Sequence, residues 1–145
     1  MTAVRQPVTE ARTTTMAMTA RDLLSAARAV VPEITAEEVY TRPPNPARVV
    51  IDVRERNEYE SGHLPGAIHI SKSFIEVLLE EQVPDRRTPI TLYCAGGVRS
   101  LLAAESVRRL GYTNVESMVD GIGGWKACGY ELVREKPLWE LTRSA

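Results

Sequence analysis

Apolar positions recur along this chain with two different periods. Thr19-Ala20-Arg21-Asp22 opens a helix, because a Thr followed three residues later by an acid can close a helix N-terminus. Leu23, Leu24, Ala27, Val30 and Val31 then fall on one helical face, and Pro32 ends the run. A second short helix starts at Thr35, with Glu38 three residues on, and stops before Pro43-Pro44. Val49-Val50-Ile51-Asp52-Val53 is β-branched and almost wholly apolar, the signature of a strand covered on both faces. Gly62-His63-Leu64-Pro65-Gly66 is a loop, and Ala67-Ile68-His69-Ile70 a short strand. Phe74, Val77, Leu78 and Leu79 line a helix ending near Pro84.

Pro89-Ile90-Thr91-Leu92-Tyr93 is the next strand and runs straight into Cys94-Ala95-Gly96-Gly97-Val98-Arg99. Leu101, Leu102, Ala104, Val107 and Leu110 mark an amphipathic helix, stopped by Gly111. Val115 to Val119 is a strand, Asp120-Gly121 a turn, and Ile122 to Ala127 a short helix stopped by Gly129. Strands alternating with helices specify an α/β fold with a mostly parallel sheet.

Composition narrows the class. The chain has 145 residues, 43% apolar and 26% charged, with a net charge of -1. That is one ordinary domain with enough chain to bury a core. Neither a nucleic-acid partner nor a membrane surface is expected from this charge balance. Residues 1–18 read as a frayed terminus, 19–32 as an N-terminal helix and 134–145 as a C-terminal tail carrying Leu138, Trp139 and Leu141. The N-terminal helix and the tail are the places where a homodimer contact could be built. Two cysteines, Cys94 and Cys128, give neither a disulfide framework nor a zinc site, so a cytoplasmic, metal-free protein without cofactor is expected.

Candidate chemistry centres on Cys94. Active sites of open α/β sheets lie past the carboxyl ends of the strands. Sulfur chemistry needs the thiolate, which something must stabilise at neutral pH. Gly96 and Gly97 are free to take positive φ and let backbone N–H groups converge; the following helix adds its positive end, and Arg99 and Ser100 add donors. Such a cradle can lower a thiol pKa, or hold a persulfide or an oxyanion. Asp52 either orients the loop or Arg99, or belongs to a structural ion pair; for Arg54 the structural pair is expected. His63 and Tyr59 read as structural, His69 as a strand residue, Trp125 as closing the core and Cys128 as structural. Arg86-Arg87 and Arg108-Arg109 read as solvated charge.

Several of these stretches together are familiar. Ile51-Asp52-Val53-Arg54-Glu55 with Glu58-Tyr59, then Gly62-His63-Leu64-Pro65-Gly66-Ala67, resembles the N-terminal signature of rhodanese domains. Leu92-Tyr93-Cys94-Ala95-Gly96-Gly97-Val98-Arg99-Ser100 resembles that family's active-site loop. Gly111-Tyr112-Thr113-Asn114-Val115 and Asp120-Gly121-Ile122-Gly123-Gly124-Trp125 resemble its C-terminal elements. The resemblance covers residues 33–133 and implies a rhodanese-like α/β fold, a central, mostly parallel five-stranded sheet flanked by helices on both faces.

For function the resemblance implies a sulfurtransferase. Cys94 would take a sulfane sulfur from thiosulfate or a persulfide donor and pass it to a thiol or cyanide acceptor. The backbone amides of Ala95, Gly96, Gly97, Val98, Arg99 and Ser100 would hold the outer sulfur, with Arg99 closing the loop and Asp52 and Arg54 in support. The alternatives are a non-catalytic rhodanese-like binding or regulatory module and a cysteine-dependent phosphatase. Four residues separate Cys94 from Arg99. The related phosphatases use a longer loop to ring a phosphate, so the spacing favours sulfur. Ala95 and Val98 are small and uncharged where some thiosulfate-preferring members carry cations, which leaves the donor open.

Overall fold

The structure, a computed structural model, describes residues 17–135. The expectations for residues 1–16 and for Leu138, Trp139 and Leu141 lie outside the described residues.

Helix α1 (Ala20–Val30) starts as the capping pattern requires. The Asp22 N–H donates to Thr19 Oγ1 at 3.1 Å, and the Thr19 N–H donates to the Asp22 carboxylate at 2.9 Å. Its buried stripe is narrower than the sequence face. Ala27 is buried and Leu24 half-buried against α5 (Val98–Arg109), whereas Leu23 and Val30 are exposed. A helix lying on one neighbour buries only the positions facing that neighbour.

Strand β1 (Glu33–Ile34) follows, then α2 (Ala36–Thr41), capped by Thr35 as expected. The chain continues as β2 (Val49–Asp52), α3 (Arg56–Ser61) and β3 (Ile68–His69), then a 3-10 turn, Lys72–Phe74. Helix α4 (Ile75–Gln82), β4 (Ile90–Tyr93), α5, β5 (Val115–Met118) and α6 (Gly121–Ala127) complete it. In α4 the core-facing residues are Ile75 and Leu79, with Leu78 half-buried. Phe74 and Val77, expected on the inner face, are exposed, because the spacing of four that reaches the core starts at Ile75.

The five strands lie in the order β1-β5-β4-β2-β3 and every pair is parallel. Strand alternation gives the sheet two apolar faces. Ile51, Ile90, Leu92 and Val115 point toward Ala27, Ile75, Leu79, Leu101, Ala104 and Val107 of α1, α4 and α5. Tyr93 and Met118 point the other way, into a second cluster with Ala36 of α2 and Ile122 and Trp125 of α6. Helices therefore cover both faces. Strand β1 and helix α3 have no counterpart in the sequence reading: two residues show no periodicity, and α3 buries only Tyr59. Among the described residues no helix is long and apolar enough to cross a membrane.

Candidate active site

Cys94 is the first residue past β4, at the carboxyl end of the central strand of the sheet. Its side chain is 1% exposed, while Ala95 and Gly96 beside it are open to solvent. Backbone contacts fix the loop from beneath. The N–H of Ile122 donates to the Cys94 carbonyl at 2.9 Å, and that of Gly123 to the Ala95 carbonyl at 3.1 Å. This close approach needs Gly121: at φ 56°, a Cβ there would lie 2.5 Å from the Ala95 carbonyl oxygen.

Gly97 is the pivot of the cradle. It takes φ 97° and stands at the N-cap of α5 with no side-chain cap over the first turn. Its N–H points at Cys94 Sγ, 3.1 Å away. Gly96, also expected to be free for positive φ, is not among the positive-φ glycines, so one left-handed residue suffices to aim the amides. A Cβ at Gly97 would sit 2.3 Å from the Val119 carbonyl oxygen. Gly97→Ala therefore combines left-handed strain of about 1–3 kcal/mol with a forced loop displacement. The expected outcome is a lower unfolding midpoint and loss of the selective reactivity of Cys94, read by thermal denaturation and thiol labelling.

The electrostatics of the cradle oppose burial. Burial pushes the Cys94 thiol up, but the Ser100 hydroxyl and the N–H groups of Ser100, Gly97 and Gly96 more than reverse it, leaving its pKa below the ordinary value. Ser100 Oγ lies 3.5 Å from Cys94 Sγ and 2.8 Å from Ser117 Oγ, so a second hydroxyl orients the first.

Arg99 finds a partner other than Asp52. It makes a two-point ion pair with Glu58, at 2.8 Å to Oε1 and 3.1 Å to Oε2. Glu58 also accepts from the Glu55 N–H in the cap of α3. The Arg99 bonds, helped by that N–H and against burial, hold the Glu58 carboxyl at about 2. The sequence reading passed over this role of Glu58: Glu58 lies within the matched signature, but 41 residues of separation from Arg99 carry no spacing signal.

Asp52 is fully buried and pairs with Arg54 instead. Its carboxylate also accepts from the Tyr93 hydroxyl at 2.7 Å, and Arg54 donates onward to the Gly62 carbonyl. This network ties β2, β4 and the Gly62–Leu64 loop together behind the site and does not reach Arg99. Of the two readings of Asp52, the structural one matches this geometry.

The remaining polar residues fall into structural places. His63 Nδ1 lies 3.1 Å from the Tyr59 carbonyl, with the two rings stacked, and its backbone bridges to Val133. His69 Nε2 meets the Arg54 carbonyl at 2.7 Å. Trp125 is buried and donates to the Glu131 carbonyl. Cys128, expected to be structural, is exposed at the end of α6 and packs in no core. Arg86 departs from the expectation of solvated charge. It donates to the Tyr112 hydroxyl at 3.0 Å and lies over that ring, which is buried against α5.

Residues 35–128 match the family model described as the rhodanese-like domain. Over 79 residues the chain is 32% identical to the thiosulfate sulfurtransferase GlpE of Coxiella burnetii, covering 54% of this chain and 72% of that one. A thiosulfate sulfurtransferase from Pseudomonas aeruginosa superposes with a TM-score of 0.66 at 27% identity, over 79% of this chain and only 23% of that longer one. A rhodanese from E. coli, solved with anions, superposes with a TM-score of 0.53 at 30% identity, over 61% of this chain and 99% of that one. With a loop cysteine at the end of the central strand, a five-stranded parallel sheet and a family match over most of the described residues, this chain belongs to the rhodanese-like domain family.

Proposed function

We propose that this chain is a sulfurtransferase that carries sulfane sulfur as a persulfide on Cys94. The observation that carries the reading is the cradle itself: a cysteine with a lowered pKa, facing backbone N–H groups at the start of α5. A structural cysteine does not require that arrangement.

In the first half-reaction the Cys94 thiolate attacks the outer sulfur of the donor. The donor's S–S bond breaks, and sulfite leaves from thiosulfate or a thiolate from an alkyl persulfide. The outer sulfur of the new persulfide sits among the amides of Ala95 to Ser100. In the second half-reaction a thiol or cyanide attacks that sulfur, and Cys94 leaves as the thiolate the cradle stabilises. Arg99 closes the loop, and Asp52 and Arg54 hold the scaffold behind it. Relatives named as thiosulfate sulfurtransferases support this reading. A reducing, cytoplasmic setting fits it, because the cycle needs Cys94 unoxidised.

The test is thiocyanate formation from cyanide with thiosulfate or an alkyl persulfide as donor, followed by intact mass. Turnover with a mass gain of one sulfur atom on the isolated intermediate is expected. A folded protein that neither turns over nor gains sulfur would overturn the proposal.

A pH profile follows from the lowered thiol pKa. The thiolate is the reacting species, so alkylation of Cys94 rises with pH through its own pKa. Its half-maximal rate is expected at a lower pH than that of an ordinary, unassisted thiol. Ser100→Ala removes a donor that lowers the pKa, so the midpoint moves up. Iodoacetamide kinetics with peptide-resolved mass detection checks both shifts.

A further inference from the structure

We propose that Glu58 sets the donor class of the Cys94 site, neutralising Arg99 so that the mouth favours an alkyl persulfide of low charge over the thiosulfate dianion. This rests on the sulfurtransferase reading above. Arg99 is the one charged side chain between Cys94 and Ser100. Both of the Arg99 terminal nitrogens are engaged by Glu58, at 2.8 and 3.1 Å.

The carboxylate is fixed in place. The Glu55 N–H holds it from the cap of α3, and its low pKa keeps it ionised throughout the working range. The Glu55 carboxylate also acts on Arg99. The guanidinium is thus already paired with a carboxylate before a donor arrives. An incoming dianion meets an Arg99 charge already neutralised by Glu58, and its attraction to the α5 amides is offset by repulsion from the Glu58 carboxylate and the Cys94 thiolate.

Two apolar side chains stand exposed beside the loop. Val98 is 51% exposed and Val119 39% exposed, on the two segments that meet at Gly97. A persulfide on an organic body can lay carbon against these valines while its outer sulfur enters the cradle. In that step the Cys94 thiolate attacks the outer sulfur of R–S–SH. The S–S bond breaks, R–S⁻ leaves with the bonding pair, and the proton stays on the new Cys94 persulfide, so charge and electrons balance.

The experiment compares kcat/KM for thiosulfate with that for the persulfide of a neutral cysteine ester, cyanide being the acceptor. Wild type is expected to favour the persulfide. Glu58→Gln keeps a hydrogen-bonding amide beside Arg99 but removes the charge. It is expected to shift the ratio toward thiosulfate by about tenfold, near 1.4 kcal/mol, chiefly through KM for thiosulfate. Glu58→Asp keeps the charge and is expected to retain most of the wild-type ratio. Thiosulfate kcat/KM in wild type should rise with ionic strength, as like charges are screened, and less steeply in Glu58→Gln.

Cys94-dependent turnover with an unchanged ratio in Glu58→Gln, or a wild type that prefers thiosulfate, would overturn the donor assignment and leave the sulfurtransferase reading intact. No Cys94-dependent turnover with either donor would overturn both.

Discussion

Cys94→Ser is expected to abolish sulfur transfer and leave the fold in place. An alcohol has no accessible anion near neutral pH and forms no persulfide, so both half-reactions lose their covalent carrier. The fold has little to lose. Serine is nearly the size of cysteine, and its hydroxyl can keep the Gly97 N–H and Ser100 partners. The stability change is expected within about 1 kcal/mol, the scale of one hydrogen bond. Thiocyanate production should fall to the uncatalysed rate, with no sulfur gained in intact mass. Cys128→Ser should keep most of the activity, because Cys128 is exposed and no amide cradle surrounds its sulfur. Persistent turnover in Cys94→Ser would refute the mechanism, and loss of turnover in Cys128→Ser would make that cysteine a resolving thiol.

How far this site was readable in the sequence depends on the range of the interactions. Cys94, Gly97 and Ser100 belong to one short segment after an apolar strand, so the cradle is a local feature and local sequence encodes it. The Thr19–Asp22 and Thr35–Glu38 caps are legible for the same reason. The element order follows from periodicity together with capping residues and Gly and Pro stops, except where the elements are too short or too polar to show any, as in β1 and α3.

What could not be read was pairing across the sheet. The matched signature holds three acids, Asp52, Glu55 and Glu58, and only Asp52 is offered there as a partner for Arg99. Only the fold decides among them: the Asp52 carboxylate accepts from the buried Tyr93 hydroxyl, and Glu58 is carried to Arg99 on α3. Burial differs from the periodic pattern where a helix lies on one neighbour, as for Leu23 and Val30 of α1, and where the core-facing spacing starts at another residue, as for Val77 of α4. The charge of the mouth is likewise a property of the Glu58–Arg99 pair, invisible in either residue alone.

The assignment of Asp52 to the scaffold carries the largest expected effect on stability. Asp52→Asn leaves the Arg54 guanidinium, only 4% exposed, without its counter-charge in a buried site. Burial alone pushes the Arg54 charge toward loss, and the Asp52 carboxylate is what reverses this. Removing one member of a buried pair costs about 3–5 kcal/mol. For a domain of this size the midpoint should fall by about 10–15 °C. The paired variant Asp52→Asn with Arg54→Met removes the stranded charge as well and should cost less than the single change, a coupling that a double-mutant cycle measures. Reactivity separates scaffold from site. The donors that lower the Cys94 pKa come from Gly96, Gly97 and Ser100, not from this network. The folded fraction of Asp52→Asn should therefore keep the wild-type pH midpoint for Cys94 alkylation while its stability drops. A shifted midpoint with unchanged stability would instead place Asp52 in the active site.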